Sequence, residues 1–156
     1  MISRTNVDGI KGAVGEAFRK AITEYDHEII AIPVGDIHAH DLVVYETNEL
    51  IAVCPLTGLP DIYKCVVEAI VNGMVPELKT LKFYYMSFKD VGILHEDLVA
   101  QVADALQEKC DFMWCRVTLD TNIRGGISTL TQATRGRFLA YAPERGNFNA
   151  WLATQR

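Results

Sequence analysis

A thiol and a carboxylate stand at a fixed spacing in the stretch Cys54-Pro55-Leu56-Thr57-Gly58-Leu59-Pro60-Asp61. Two prolines pin φ and withhold ladder hydrogen bonds, and Gly58 permits a turn, so the stretch reads as a rigid connection between strands. A rigid loop can hold a thiol and a carboxylate at constant separation. Nucleophilic catalysis with a nearby proton donor needs that arrangement. The same residue types also suit a buried cysteine beside a turn, because free cysteine is commonly core.

Three other groups could do chemistry. Lys79 and Lys82 fall near the start of a helical pattern. Cations there oppose the helix dipole, whereas two ammonium groups beside free backbone amides suit a bound phosphate; two solvated lysines are the alternative. His38 and His40 alternate, and on a strand they would share a face and could ligate a metal. Metallohydrolase barrels built on such a pair need roughly 250 residues, so surface or interface histidines are expected and no metal. His95 and Glu96 open a second helical pattern. Glu96 complements the helix dipole there, and His95 reads as a capping residue.

The elements that must position these groups follow from periodicity. Ile10, Val14, Phe18 and Ile22 predict a helix over 8–24 with Asp8 as N-cap, followed by a strand over 28–34. Residues 42–53 are extended, with a bulge or turn expected at Glu46-Thr47-Asn48-Glu49. Residues 62–71 read as a strand, with Tyr63, Cys65, Val67, Ala69 and Val71 on the apolar face and Ile62, Lys64, Val66, Glu68 and Ile70 on the other. Helices follow over 77–88, with Leu81, Tyr84, Tyr85 and Phe88 as buried stripe, and over 95–109, with Leu98, Val102 and Leu106. A strand over 112–121, a turn at Arg124-Gly125-Gly126 and a strand over 127–133 form a hairpin. Cys110 and Cys115 read as structural.

The order ββααββ predicts an α+β fold, an antiparallel sheet with two helices on one face. Its long edge strands invite pairing with further copies, so sheets are expected to join edge to edge in a homo-oligomer. With 156 residues the chain is expected to be one domain: a core over 41–136, an N-terminal helix and strand over 8–34, and a tail over 137–156. A net charge of −5 gives no case for a polyanionic partner, and no direct nucleic-acid contact is expected. The apolar runs are too short for a membrane span, and the start lacks a signal-like apolar region, so a cytoplasmic location is expected. The four cysteines form no C-x-x-C pair, which argues against a zinc ribbon.

Three motifs together resemble the NADPH-dependent 7-cyano-7-deazaguanine reductases, short nitrile reductases of queuosine biosynthesis with the tunnelling fold. The family's Cys-Pro-x-Thr-Gly-x-Pro-Asp stands complete as Cys54 to Asp61. Its lysine motif stands as Glu77-Leu78-Lys79-Thr80-Leu81-Lys82. Its Ser-Phe-x-x-x-Gly-x-x-His-Glu-Asp stands as Ser87 to Asp97, and an Arg-Gly-Gly-Ile turn as Arg124 to Ile127. Thr80 and Leu94 depart from the family's commoner residues, small in the first case and aromatic in the second.

The resemblance implies that the Cys54 thiolate adds to a nitrile carbon, forming a thioimide, while Asp61 supplies or relays the proton. Two hydrides from NADPH then complete the reduction to the primary amine. Glu96 would accept hydrogen bonds from the N–H edge of the deazaguanine, and His95 would orient substrate or share proton transfer. Glu77, Lys79, Lys82 and Arg124 would hold NADPH. The partners implied are 7-cyano-7-deazaguanine and further copies of the chain in a ring, a decamer being one such size. Two alternatives stay open: the related amidine-forming enzyme of archaeosine synthesis, and a noncatalytic pterin- or purine-binding protein of this fold.

Overall fold

The computed structural model describes residues 27–35, 41–123 and 125–137. The helix expected over 8–24, His38 and His40, Arg124 and the tail beyond Arg137 lie outside these residues.

A four-stranded antiparallel sheet forms the body. Its strands are β2 (Leu42–Val53), β3 (Pro60–Ile70), β5 (Trp114–Thr121) and β6 (Leu130–Gly136), in the order β2-β3-β5-β6. Two helices cover one face: α1 (Leu78–Met86) lies against β2, and α2 (His95–Cys110) lies against β5 and β6. The remaining strands, β1 (Ala31–Pro33) and β4 (Met74–Pro76), make a separate antiparallel pair. The sequence reading extends the first strand over 28–34 and does not anticipate β4. Three residues beside a Pro and a Gly carry too little periodicity to announce a strand.

The core lies between sheet and helices. From β3 it takes Tyr63, Cys65, Val67 and Ala69; from α1 Leu81, Tyr85 and Phe88; from α2 Leu98, Val102 and Leu106. These match the apolar faces expected from period 2 and period 3.6, except that Tyr84 is only partly buried. Sheet residues facing away from the helices are more polar. There Glu68 and Arg116 sit opposite each other, with Arg116 Nε and Nη2 donating to Glu68 Oε2 at 2.9 and 2.6 Å. The guanidinium also lies 5.4 Å from the Trp114 ring.

The last hairpin differs from expectation. The strand after the glycines spans 130–136, not 127–133, and the connection occupies 122–129. Asn122 stays bound to β3, its amide donating to Ile62 O (3.2 Å) and its Oδ1 accepting from Ile62 N (3.1 Å). Thr121 closes the loop by donating to Thr129 O from both its amide and its hydroxyl, at 3.1 and 3.0 Å. Gly125 and Gly126 do adopt positive φ, as a glycine turn requires.

Candidate active site

A bulge in β2 sets the direction of the Cys54 side chain. Thr47 pairs with Cys65 and Leu50 with Tyr63, so three steps on β2 match two on β3. Before the irregularity Val43, Tyr45 and Thr47 share the helix-facing side; after it Leu50 and Ala52 take that side, both fully buried. Cys54 continues the second parity and is 9% exposed. The Thr47 hydroxyl accepts from the Glu49 amide at 3.1 Å and braces the bend. One extra residue thus reverses which side chains face inward.

The loop that follows is closed by its own backbone. The Cys54 amide donates to Leu59 O and the Gly58 amide to Cys54 O, both at 2.9 Å. Gly58 has φ +70, a value a β-carbon disfavours. The loop therefore returns Pro60 and Asp61 opposite Val53 and Ala52. Asp61 lies on the helix-facing side, 1% exposed, beside the strand that carries Cys54.

The His-Glu segment is clamped to the same place. Val53, the residue before Cys54, donates from its amide to Val91 O and accepts from the Ile93 amide, each at 3.0 Å. A β-carbon on Gly92 would stand 3.4 Å from Pro55 Cα, so this position lets the two segments approach closely. Three residues after Gly92, α2 begins. Its N-cap is Leu94, whose side chain makes no capping hydrogen bond; His95 is the first helical residue. The capping role expected of His95 is thus corrected. Its imidazole instead lies 2.7 Å from the Tyr63 hydroxyl, Nδ1 to Oη. Glu96 stands at the mouth of a groove of about 400 Å³ between α2 and β6, lined also by Val99, Thr131 and Arg135.

The lysines lie at the other sheet edge, and the expectation of free amides beside them is corrected. Glu77 is the N-cap of α1, and its carboxylate accepts from the Lys79 amide at 3.0 Å and the Thr80 amide at 2.8 Å. Those two bonds, the Lys79 amide first, hold the Glu77 carboxyl below its ordinary range. The helix start is therefore already supplied with its anion. Thr80 joins the first strand region to α1, because its hydroxyl accepts from the Ile30 amide and donates to Glu77 O. Lys82 is exposed and pairs with Glu49 at 2.9 Å, while Lys79 lies 5.9 Å over the Phe83 ring. A groove of about 310 Å³, lined by Val44, Glu46, Glu49, Leu78 and Lys82, runs between α1 and β2. Lys79 and Lys82 thus present two exposed ammonium groups on α1.

The structure thus draws Cys54, Asp61 and the segment leading to His95 to one end of the β2–β3 pair. It leaves Glu96 and the two lysines over opposite edges of the sheet. Among the described residues no three His, Cys, Asp or Glu side chains cluster as a metal would require. Sequence reasoning missed Tyr63, which alternation marks only as core.

A ββααββ unit with a thiol loop clasped against a His-Glu helix start defines the class. The model for the family described as QueF-like protein matches residues 60–138. The chain belongs to that family. It is 42% identical over 93 residues to the NADPH-dependent 7-cyano-7-deazaguanine reductase of Thermotoga maritima, covering 59% of this chain and 68% of that one. The enzyme of the same name from Caldicellulosiruptor bescii is 39% identical over 105 residues, covering 67% and 80%. That from Campylobacter lari is 31% identical over 113 residues, covering 72% and 89%. Among solved structures, the apo form of the archaeosine synthase QueF-Like matches with a TM-score of 0.58 and 25% identity, covering 62% of this chain and 94% of that one.

Proposed function

We propose that this chain reduces the nitrile of 7-cyano-7-deazaguanine to the aminomethyl group, using NADPH. The observation that carries the reading is the clasp between Val53 and residues 91–93, which sets the Cys54 loop beside the start of the His-Glu helix. The names of the relatives support the substrate and the reductant. Cys54 is the nucleophile: its sulfur forms a bond to the nitrile carbon as one π pair moves to nitrogen. Asp61 takes the proton that leaves the thiol and relays it to that nitrogen, so the S–H bond lost becomes the N–H bond gained. A thioimide carbon is a better acceptor than a nitrile, which is why the covalent step precedes reduction. NADPH, when bound, supplies the hydrides. Lys79 and Lys82 hold its phosphates, Glu77 keeps their helix start in place, and Arg124 is a further cation for it. Glu96 accepts from the ring N–H groups, and a purine lacking them would leave its carboxylate unsatisfied.

The working unit of this reading is a ring. The β2 and β6 edges have no partner strand among the described residues. Joining β6 of one copy to β2 of the next continues the antiparallel alternation. It also brings the groove holding Glu96 towards the neighbour's groove holding Lys82, completing one site from two copies.

Incubation with the nitrile alone tests the nucleophile. A thioimide is expected on Cys54, seen as added mass on its peptide and lost in Cys54→Ala. An adduct that survives Cys54→Ala contradicts the reading. Replacing Lys79 and Lys82 together by Ala should leave that adduct intact yet weaken NADPH binding by on the order of a hundredfold or more, each charged hydrogen bond contributing about 1.5–3 kcal/mol. The likeness to the archaeosine synthase favours one second reading, an amidine-forming enzyme. It expects release of an amidine on adding ammonia and no oxidation of NADPH.

A further inference from the structure

We infer that Tyr63 is a positioning residue for the reaction, acting through His95. The inference rests on the proposed function in giving His95 a part in it. Tyr63 is fully buried on the helix-facing side of β3, two residues beyond Asp61 and opposite Leu50. Its hydroxyl lies 2.7 Å from His95 Nδ1, and the two rings meet edge to face, centroids 5.6 Å apart at 73°. His95 is thereby held at two points. The backbone just before it is bonded to Val53, and its ring is bonded to Tyr63. One support comes from β2, whose last residue precedes Cys54, the other from β3, two residues beyond Asp61.

With the Tyr63 hydroxyl as donor, this contact also selects a tautomer. A phenol O–H is a strong donor, and the unprotonated nitrogen of a neutral imidazole is its natural acceptor. With Tyr63 donating to Nδ1, the imidazole proton resides on Nε2, at the far side of the ring from Tyr63. Nε2–H is then a fixed hydrogen-bond donor. When the Cys54 sulfur bonds to the nitrile carbon, charge develops on the nitrile nitrogen before it takes the Asp61 proton. A donor aimed in advance at such an atom stabilises the transition state without reorganising. A histidine free to flip or to change tautomer would present an acceptor part of the time. The tyrosine is not interchangeable with an apolar core residue for this purpose, although its place on an apolar face suits one.

Two measurements on the full chain test the inference. Nitrogen NMR of wild-type protein at a pH where the imidazole is neutral should show His95 protonated on Nε2. In Tyr63→Phe, which keeps the ring and the packing, that signal should shift to a tautomer mixture. In turnover, Tyr63→Phe should lower kcat about tenfold, the worth of one hydrogen bond, and leave KM for the nitrile within about twofold. Tyr63→Phe should cost nothing further in a His95→Ala background. A wild-type Nδ1–H tautomer, or a Tyr63→Phe protein with unchanged tautomer and kcat, overturns the inference while the proposed function stands. A wild-type adduct rate in His95→Ala overturns the role of His95, and with it that of Tyr63 in the reaction. The wild-type tautomer measurement needs no variant to fold.

Discussion

The four thiols divide by surroundings. Burial pushes Cys65 from 9.0 to about 12, against a hydrogen bond with Tyr85. It likewise pushes Cys110 to about 12 and Cys115 to about 11. Thiolates are the reactive form, so these three are inert at neutral pH. All three are at most 1% exposed, whereas Cys54 is 9% exposed on a surface loop. A thiol-directed reagent at pH 8 should therefore label Cys54 first, with the others following only on unfolding; peptide mapping checks this, and early labelling of Cys65 contradicts it. The same shifts make stability depend on pH in the alkaline range. A thiol whose folded pKa is raised holds its proton longer in the folded state, so the unfolded chain binds fewer protons once pH passes about 9. Stability contributed by Cys65, Cys110 and Cys115 is thus complete below pH 9 and lost as pH rises towards 11–12. Denaturant midpoints should fall over that window, and less steeply in Cys65→Ala once its own cavity cost is subtracted.

At the scale of elements, one inserted residue decides whether Cys54 faces inward. The bulge between Thr47 and Leu50 turns Leu50, Ala52 and Cys54 inward. Deleting Asn48 should restore even pairing along β2 and turn these three outward. The expected result is a lower unfolding midpoint, since exposing a core Leu costs about 2–5 kcal/mol, and no adduct at Cys54 even in protein that folds. Retained adduct formation would show that the loop, not the strand parity, orients the thiol. Much of this level was legible in the sequence. The polar interruption over 46–49 marked the bulge, and the apolar face from Tyr63 to Val71 marked β3. The positions of α1 and α2 followed from period 3.6 to within two residues. Other features were hidden because they join residues far apart in the chain. Tyr63 and His95 lie 32 residues apart, and nothing in an apolar strand face announces that one hydroxyl serves a helix start. The lysine motif read as a phosphate site with open amides because Glu77 gives no sign, in sequence, that it folds back as the cap.

For the whole molecule, the sheet offers two edges with no partner strand among the described residues, each with a groove beside it. Light scattering should report a closed assembly of several copies that retains activity. A stable, fully active monomer would remove the need for a composite site. No described helix is long and apolar enough to cross a membrane. The central claim is that the clasped Cys54 loop serves nitrile reduction. The most direct measurement is the stoichiometry of NADPH oxidised to amine formed when wild-type protein is given 7-cyano-7-deazaguanine. Nitrile to primary amine is a four-electron reduction, so two NADPH per amine are expected, with none consumed by Cys54→Ala. Adduct formation on Cys54 with no NADPH oxidation, and release of an amidine when ammonia is supplied, would contradict the claim.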